Sequence, residues 1–223
     1  MKPTAKELFY NSIADKWEEK INNKETKKRI KIIFNELLKN ISLKNKKVIE
    51  VGCGLGFFSQ KISQKGAAVF GIDIGEKLVN ITNNKVPNGE FIVGSALDIP
   101  FKDNEFDLTL CTEVIEHTED PKKAVTEILR VTKNGGFIVL TTPNKTYKPF
   151  FDLLSFLKIR IYQGNENWMG INELKEYIAK NNGIIIKERY FNFFYPSPIL
   201  DKFEKIKVFR NLMINQGYLI KKK

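Results

Sequence analysis

The chain has 223 residues and a mass of 25.8 kDa, with 42% hydrophobic and 28% charged residues. A chain of this size buries roughly 70% of its unfolded surface, so a full core needs no staples, and the composition excludes both a disordered tail and a membrane bundle. The net charge of +11 sits at the ends: residues 1–47 sum to +7 and 201–223 to +5, while 48–200 sum to −1. Apolar runs fall far short of the roughly 20 residues that span a bilayer. The opening MKPTAKELFYN has no apolar signal core. Two cysteines, Cys53 and Cys111, are too few for a disulfide framework or a four-thiolate zinc site. A cytoplasmic protein is the expectation.

The first forty residues read as helices over Glu7–Lys20 and Glu25–Asn40, the second aligning Ile30, Ile33, Phe34, Leu37 and Leu38 on one face. KKVIEVGCG then reads as a strand buried on both faces that ends in glycines. Helix Phe57–Gln64, strand Ala67–Asp73, helix Glu76–Asn83, strand Glu90–Val93 and strand Phe106–Cys111 follow. Helix Asp120–Thr132 is closed by Asn134-Gly135-Gly136 before strand Phe137–Thr141. Residues 143–170 show no period and read as an insertion or lid. Helix Ile171–Lys180 and strand Gly183–Phe191 come next. Pro196 and Pro198 then break the chain before a basic amphipathic segment, Ile199–Met213, and GYLIKKK reads as a final edge strand. Alternating strands and helices on short connections predict an α/β fold, a doubly wound and mostly parallel sheet. Residues 1–45 are expected to form a helical cap on a domain of 46–223, the whole being one structural unit.

The most informative segment is Glu50-Val51-Gly52-Cys53-Gly54-Leu55-Gly56. Glycines at the carboxyl end of a first strand let the backbone turn sharply and approach a nucleotide. The spacing is G-x-G-x-G, and Phe57 occupies the position after Gly56, so the dinucleotide pattern G-x-G-x-x-G is not met. Glu50 at the strand end would repel a pyrophosphate and attract an ammonium. Asp73, 21 residues after Gly52, ends the next strand, where a carboxylate accepts hydrogen bonds from ribose hydroxyls. Glycine turn and strand-end acid together describe an adenosine pocket at the sheet's switch point.

On VIEVGCGLGFFSQ, GIDI, FIVGSALDIPFKDNEFDLTLCTEVIEHTEDP and EILRVTKNGGFIVLTTPN, the chain resembles the class I S-adenosylmethionine (SAM)-dependent methyltransferases over about residues 9–142. Within that class it resembles the type 11, ubiquinone-biosynthesis O-methyltransferase-like group. The resemblance implies a seven-stranded Rossmann-like sheet, SAM as cofactor, and Gly52, Gly54 and Gly56 around its methionine and ribose parts, with Cys53 in the same turn. It also implies Asp73 on the ribose and Ile74 beside the adenine. Ser95-Ala96 falls where the family often has Asp-Ala, a departure that leaves the adenine amino group to backbone or to Asp98. Thr112 matches a cofactor-lining position, and Tyr10 and Trp17 match a closing N-terminal cap.

Glu113-Val114-Ile115-Glu116-His117 places two carboxylates at i, i+3 and the only histidine beside them. Such a set suits a divalent cation that lowers the pKa of an acceptor hydroxyl. Ubiquinone-biosynthesis and small-RNA 3′-end methyltransferases carry a similar metal-binding E-x-x-E-H, but the RNA enzymes need a further histidine that this chain lacks. The alternatives are a helix-capping Glu with a packed His, or His117 as general base. Both cysteines read as structural. Pro143-Asn144 reads as a turn, which the resemblance places at the acceptor end of the sheet, so Asn144 is a candidate; Phe150, Phe151, Phe156, Tyr162 and Trp168 read either as core or as an apolar acceptor pocket.

These residues predict methyl transfer to a small or lipid-like acceptor, at oxygen, with the basic C-terminal segment resting on an anionic membrane. A nucleic-acid acceptor is disfavoured, because Cys111-Thr112-Glu113-Val114 stands where base-amino methyltransferases carry a polar-Pro-Pro-aromatic tetrad. A SAM-binding module without turnover has the same cofactor residues.

Overall fold

The computed structural model describes residues 8–12, 24–157, 166–193, 203–204 and 206–223. Trp17, Tyr162, Pro196, Pro198 and most of the expected Glu7–Lys20 helix lie outside them. Seven strands make one sheet: β1 (Lys47–Val51), β2 (Ala68–Asp73), β3 (Glu90–Val93), β4 (Phe106–Thr112), β5 (Thr132–Pro143), β6 (Gly183–Phe193) and β7 (Met213–Lys222). Their order is β3-β2-β1-β4-β5-β7-β6. The first five are parallel, and β7 runs antiparallel to both β5 and β6. β1 is paired on one side with β2 and on the other with β4, so the chain reverses its winding there and leaves a crevice at the strands' carboxyl ends.

The helices are α1 (Lys24–Lys31), α2 (Phe57–Ser63), α3 (Glu76–Lys85), α4 (Pro121–Val131), α5 (Lys148–Phe156) and α6 (Ile171–Lys180). Successive strand residues point to opposite faces, so β1 feeds two cores. Ile49 and Val51 join Ile128 and Leu129 of α4 and Leu174 and Ile178 of α6 on one face. Val48 joins Ile33, Phe34, Leu37 and Ile62 on the other. Each such side chain contributes about 1.5–3 kcal/mol relative to exposure. α4 starts where the sequence predicts: Asp120 caps it by accepting from the Lys123 amide at 3.0 Å, and Pro121 occupies its first turn.

Three expectations are corrected. The helix predicted over Glu25–Asn40 is regular only to Lys31; Ile32–Leu37 is a π-helical turn in which the Leu38 amide reaches back to the Ile33 carbonyl at 2.8 Å. Ile32, Ile33, Phe34 and Leu37 are all buried along this widened turn. GYLIKKK is not an edge strand. It is the second half of β7, which fills the gap between β5 and β6 and leaves β6 at the edge. Asn215 and Gln216 hid that strand in the sequence, yet both are buried and bonded: the Gln216 amide donates to the carbonyls of Met169 (2.9 Å) and Pro143 (3.2 Å). Finally, the 143–170 stretch contains a helix, α5, none of whose residues is buried. Phe156 on it is 82% exposed, whereas Trp168 is buried against Phe151, with ring centroids 5.4 Å apart.

Candidate active site

At the end of β1 the backbone is left-handed three times, at Gly52 (φ 75°), Gly54 (φ 51°) and Gly56 (φ 74°). A Cβ on Gly52 would stand 2.3 Å from Val114 Cγ2 and one on Gly56 2.9 Å from Thr82 Cγ2, so neither position admits a side chain. Gly54 faces open space. The loop is tied down from outside: the Gly52 and Cys53 amides donate to the Ile72 carbonyl at 2.8 and 2.9 Å, and Thr82 Oγ1 donates to the Gly54 carbonyl at 2.8 Å.

Asp73 ends β2 facing this loop. Its Oδ2 accepts from the Gly54 amide and its Oδ1 from the Gly75 amide, each at 2.9 Å. Two amides use only part of a carboxylate's acceptor capacity, so Asp73 keeps lone pairs for a ligand. Ile74 packs with Tyr10, Leu55 and Leu78 just beyond it. Residues 8–12 are helical and lie over this turn, the Asn11 side chain accepting from the Lys77 amide at 3.1 Å. Ser95 is used locally, its hydroxyl accepting from the Leu97 amide at 3.1 Å, and Ala96 packs into the core beside Ile72 and Ile99. Thr112, the last residue of β4, is buried.

Glu50 departs from its expected role. It is only 1% exposed, and its carboxyl takes the Ser59 hydroxyl of α2 instead of standing open to the crevice. Burial pushes its pKa up to about 8 even though Ser59 pulls it down, so the group is mostly neutral at pH 7. Cys53 and Cys111 are buried with thiols pushed far up by burial, so neither supplies a thiolate.

The loop after β4 carries the carboxylates, but not on one helical face as the spacing predicts. Glu113 is itself left-handed (φ 55°), and its carboxylate is held by Thr141 Oγ1 (2.8 Å) and Asn215 Nδ2 (2.7 Å). Glu116 lies in the single turn Ile115–His117, 2% exposed, and accepts from Thr142 Oγ1 at 3.0 Å. Burial, and then the charge of Glu113, hold its carboxyl well above the ordinary range. His117 Nε2 stands 4.0 Å from Glu116 Oε1, and its ring meets the edge of Tyr10 at 6.2 Å. Among the described residues no three His, Cys, Asp or Glu side chains converge as a metal ion would require. The donor set expected of Glu113, Glu116 and His117 is therefore not assembled.

Tyr10 links the two halves. Its hydroxyl is pushed well above the phenol range by burial, and Glu116, Asp73 and Glu166 all add to that. The sequence reading missed Arg29, Thr141, Thr142 and Asn215, which surround Glu113 and Glu116; the TTPN and INQ stretches that interrupt apolar strands were the available signal. A cavity of about 210 Å³ lined by Ile41, Leu43, Lys46, Asp107, Lys133 and Phe137 opens at the opposite end of the sheet and contains none of these groups.

A glycine loop bound to a strand-end aspartate across the switch point is the feature that comparison with known proteins bears on. Residues 49–140 match the methyltransferase domain family. The matched span runs from β1 to β5 and includes the glycine loop, Asp73 and the Glu113–His117 turn. A ubiquinone biosynthesis O-methyltransferase of Coxiella burnetii is 32% identical over 114 residues, 49% of each chain. One from Hydrogenovibrio crunogenus is 27% identical over 149 residues, 63% of this chain and 61% of its own. The chain thus spans about half the length of the first of these curated relatives. The whole fold superposes on the magnesium protoporphyrin IX methyltransferase of Synechocystis, solved with bound S-adenosylhomocysteine (SAH), with a TM-score of 0.72 at 15% identity over 97% of this chain and 98% of the other.

Proposed function

We propose that this chain is a SAM-dependent methyltransferase that transfers a methyl group to the oxygen of a small, lipid-like acceptor. The observation that carries this reading is the junction of Gly52, Gly54 and Gly56 with Asp73, left-handed, hydrogen-bonded and open at Gly54. Asp73 takes the ribose hydroxyls, Ile74 and Ala96 flank the adenine, and Ser95 and Thr112 complete the lining. SAM supplies an activated methyl group on a sulfonium whose charge is lost on transfer, so the protein's work is alignment and exclusion of water. Tyr10 closes the crevice from above. His117, placed between Tyr10 and Glu116, accepts the proton of the acceptor hydroxyl.

The lipid-like acceptor is supported by the rim of the site. Leu153 and Phe156 of α5, Leu157 just after it, and Ile206, Val208 and Leu212 before β7 are all exposed. Both segments leave the sheet at one place, where the Asn144 amide donates to the Ile214 carbonyl at 2.7 Å. Among the described residues no helix is long and apolar enough to cross a membrane, and we place the protein in the cytoplasm with this basic, apolar rim resting on an anionic bilayer.

The test is transfer of labelled methyl from SAM across a panel of phenolic and lipid hydroxyl acceptors. His117→Ala is expected to slow turnover about 100-fold or more while leaving SAH affinity within twofold. Turnover within a few-fold of wild type removes His117 from the chemistry, and absence of transfer to every acceptor favours a SAM-binding module without catalysis.

A further inference from the structure

Arg29 of α1 stands beside Glu113 without a hydrogen bond to it. Its side chain is 17% exposed, its Nε is fully buried with no hydrogen bond, and its nearest carboxylate oxygen, Glu113 Oε1, is 3.9 Å away. An engaged guanidinium–carboxylate pair closes to about 2.7–2.9 Å, with two parallel bonds. Two other arginines among the described residues, Arg130 and Arg189, are engaged at such distances. Arg130 donates to Glu127, Asp103 and the carbonyls of Ile99 and Phe101, each at 2.8 Å. Arg189 reaches Glu36 at 2.8 Å and the Glu204 carbonyl at 2.9 Å.

Glu113 does not need Arg29 to hold it, because Thr141 and Asn215 already occupy both of its oxygens from β5 and β7. A buried Nε–H with no acceptor costs free energy that a ligand can recover. We infer that Arg29 is the recognition residue for a carboxylate carried by the methyl acceptor. The place is right, since Glu113 directly follows Thr112 at the end of β4. A monoanionic carboxylate fits better than a phosphate, because Glu113 stands at the same guanidinium and a dianion would meet more repulsion. The planar fork of Arg matches the two oxygens of a carboxylate. The inference rests on the methyltransferase reading only for calling the anion part of the acceptor.

The test uses the full chain, free and saturated with SAH, titrated with benzoate, phenyl phosphate and benzyl alcohol. Benzoate is expected to shift the Arg29 Nε–H resonance saturably, identified by its loss in Arg29→Lys, and to bind at least tenfold tighter than benzyl alcohol. Arg29→Met is expected to weaken benzoate at least tenfold with SAH affinity within twofold. Arg29→Lys, which keeps the charge without the fork and guards against a folding defect, should fall between. An unmoved resonance, a benzoate affinity unchanged in Arg29→Met, or phenyl phosphate binding more tightly than benzoate overturns the assignment. Failure of SAH to bind removes the methyltransferase reading instead, and the benzoate titration of the free chain still decides whether Arg29 is an anion site.

Discussion

Glu50 illustrates how one residue can be placed correctly in the chain and differently in the fold. The sequence puts an acid two residues before Gly52; burial and Ser59 then decide its charge. With a folded pKa of about 8 against an ordinary 4.5, the folded chain keeps a proton that the unfolded chain releases. Between those two values the folded state therefore binds more protons, stability falls as pH rises, and the loss levels off above the folded pKa. Glu50→Gln is expected to match wild type near pH 4.5 and to exceed it by a few kcal/mol at pH 8. Urea midpoints of the two proteins at both pH values check this; parallel behaviour contradicts it. The glycines and Asp73 were legible because each does something only that residue type does at that spacing. Arg29 was not, since its ion-pair partner Glu113 is more than 80 residues away in sequence.

The elements that carry the site are held by polar staples as much as by apolar packing. The loop after β3 bears Ser95 and Ala96. Arg130 of α4 fixes it by donating to the carbonyls of Ile99 and Phe101, while the Ile99 amide donates to Glu127 at 2.9 Å. Arg130→Ala is expected to cost about 1–3 kcal/mol and to speed hydrogen exchange between Leu97 and Phe101. Unchanged exchange there would show that the apolar floor of Ile99 and Phe106 holds the loop unaided. Strands β1 to β5 and their helices were legible because apolar period and turn chemistry agree along that stretch. The π-helical turn at Ile32–Leu37 and the interior position of β7 were not. Both depend on which distant surface buries a residue, and local pattern does not carry that information.

At the scale of the molecule, polar chemistry gathers at the carboxyl ends of the parallel strands. Leu153, Phe156, Leu157, Val208 and Leu212 are exposed, and we propose that they form an apolar rim beside it. Leu153→Asp with Phe156→Asp is expected to reduce binding to vesicles of anionic phospholipid at least tenfold, with no change in the unfolding midpoint; sedimentation with vesicles reads it out. Undiminished binding would place the membrane contact elsewhere. Both the acceptor and the bilayer depend on the crevice where β1, β2 and β4 end. Calorimetric titration of the intact chain with SAH tests that crevice most directly. One SAH per chain should bind, and Asp73→Asn, which keeps the shape and removes the charge, should weaken it at least tenfold. An absence of binding heat, or equal affinity in the variant, would contradict an adenosyl site between the glycine loop and Asp73.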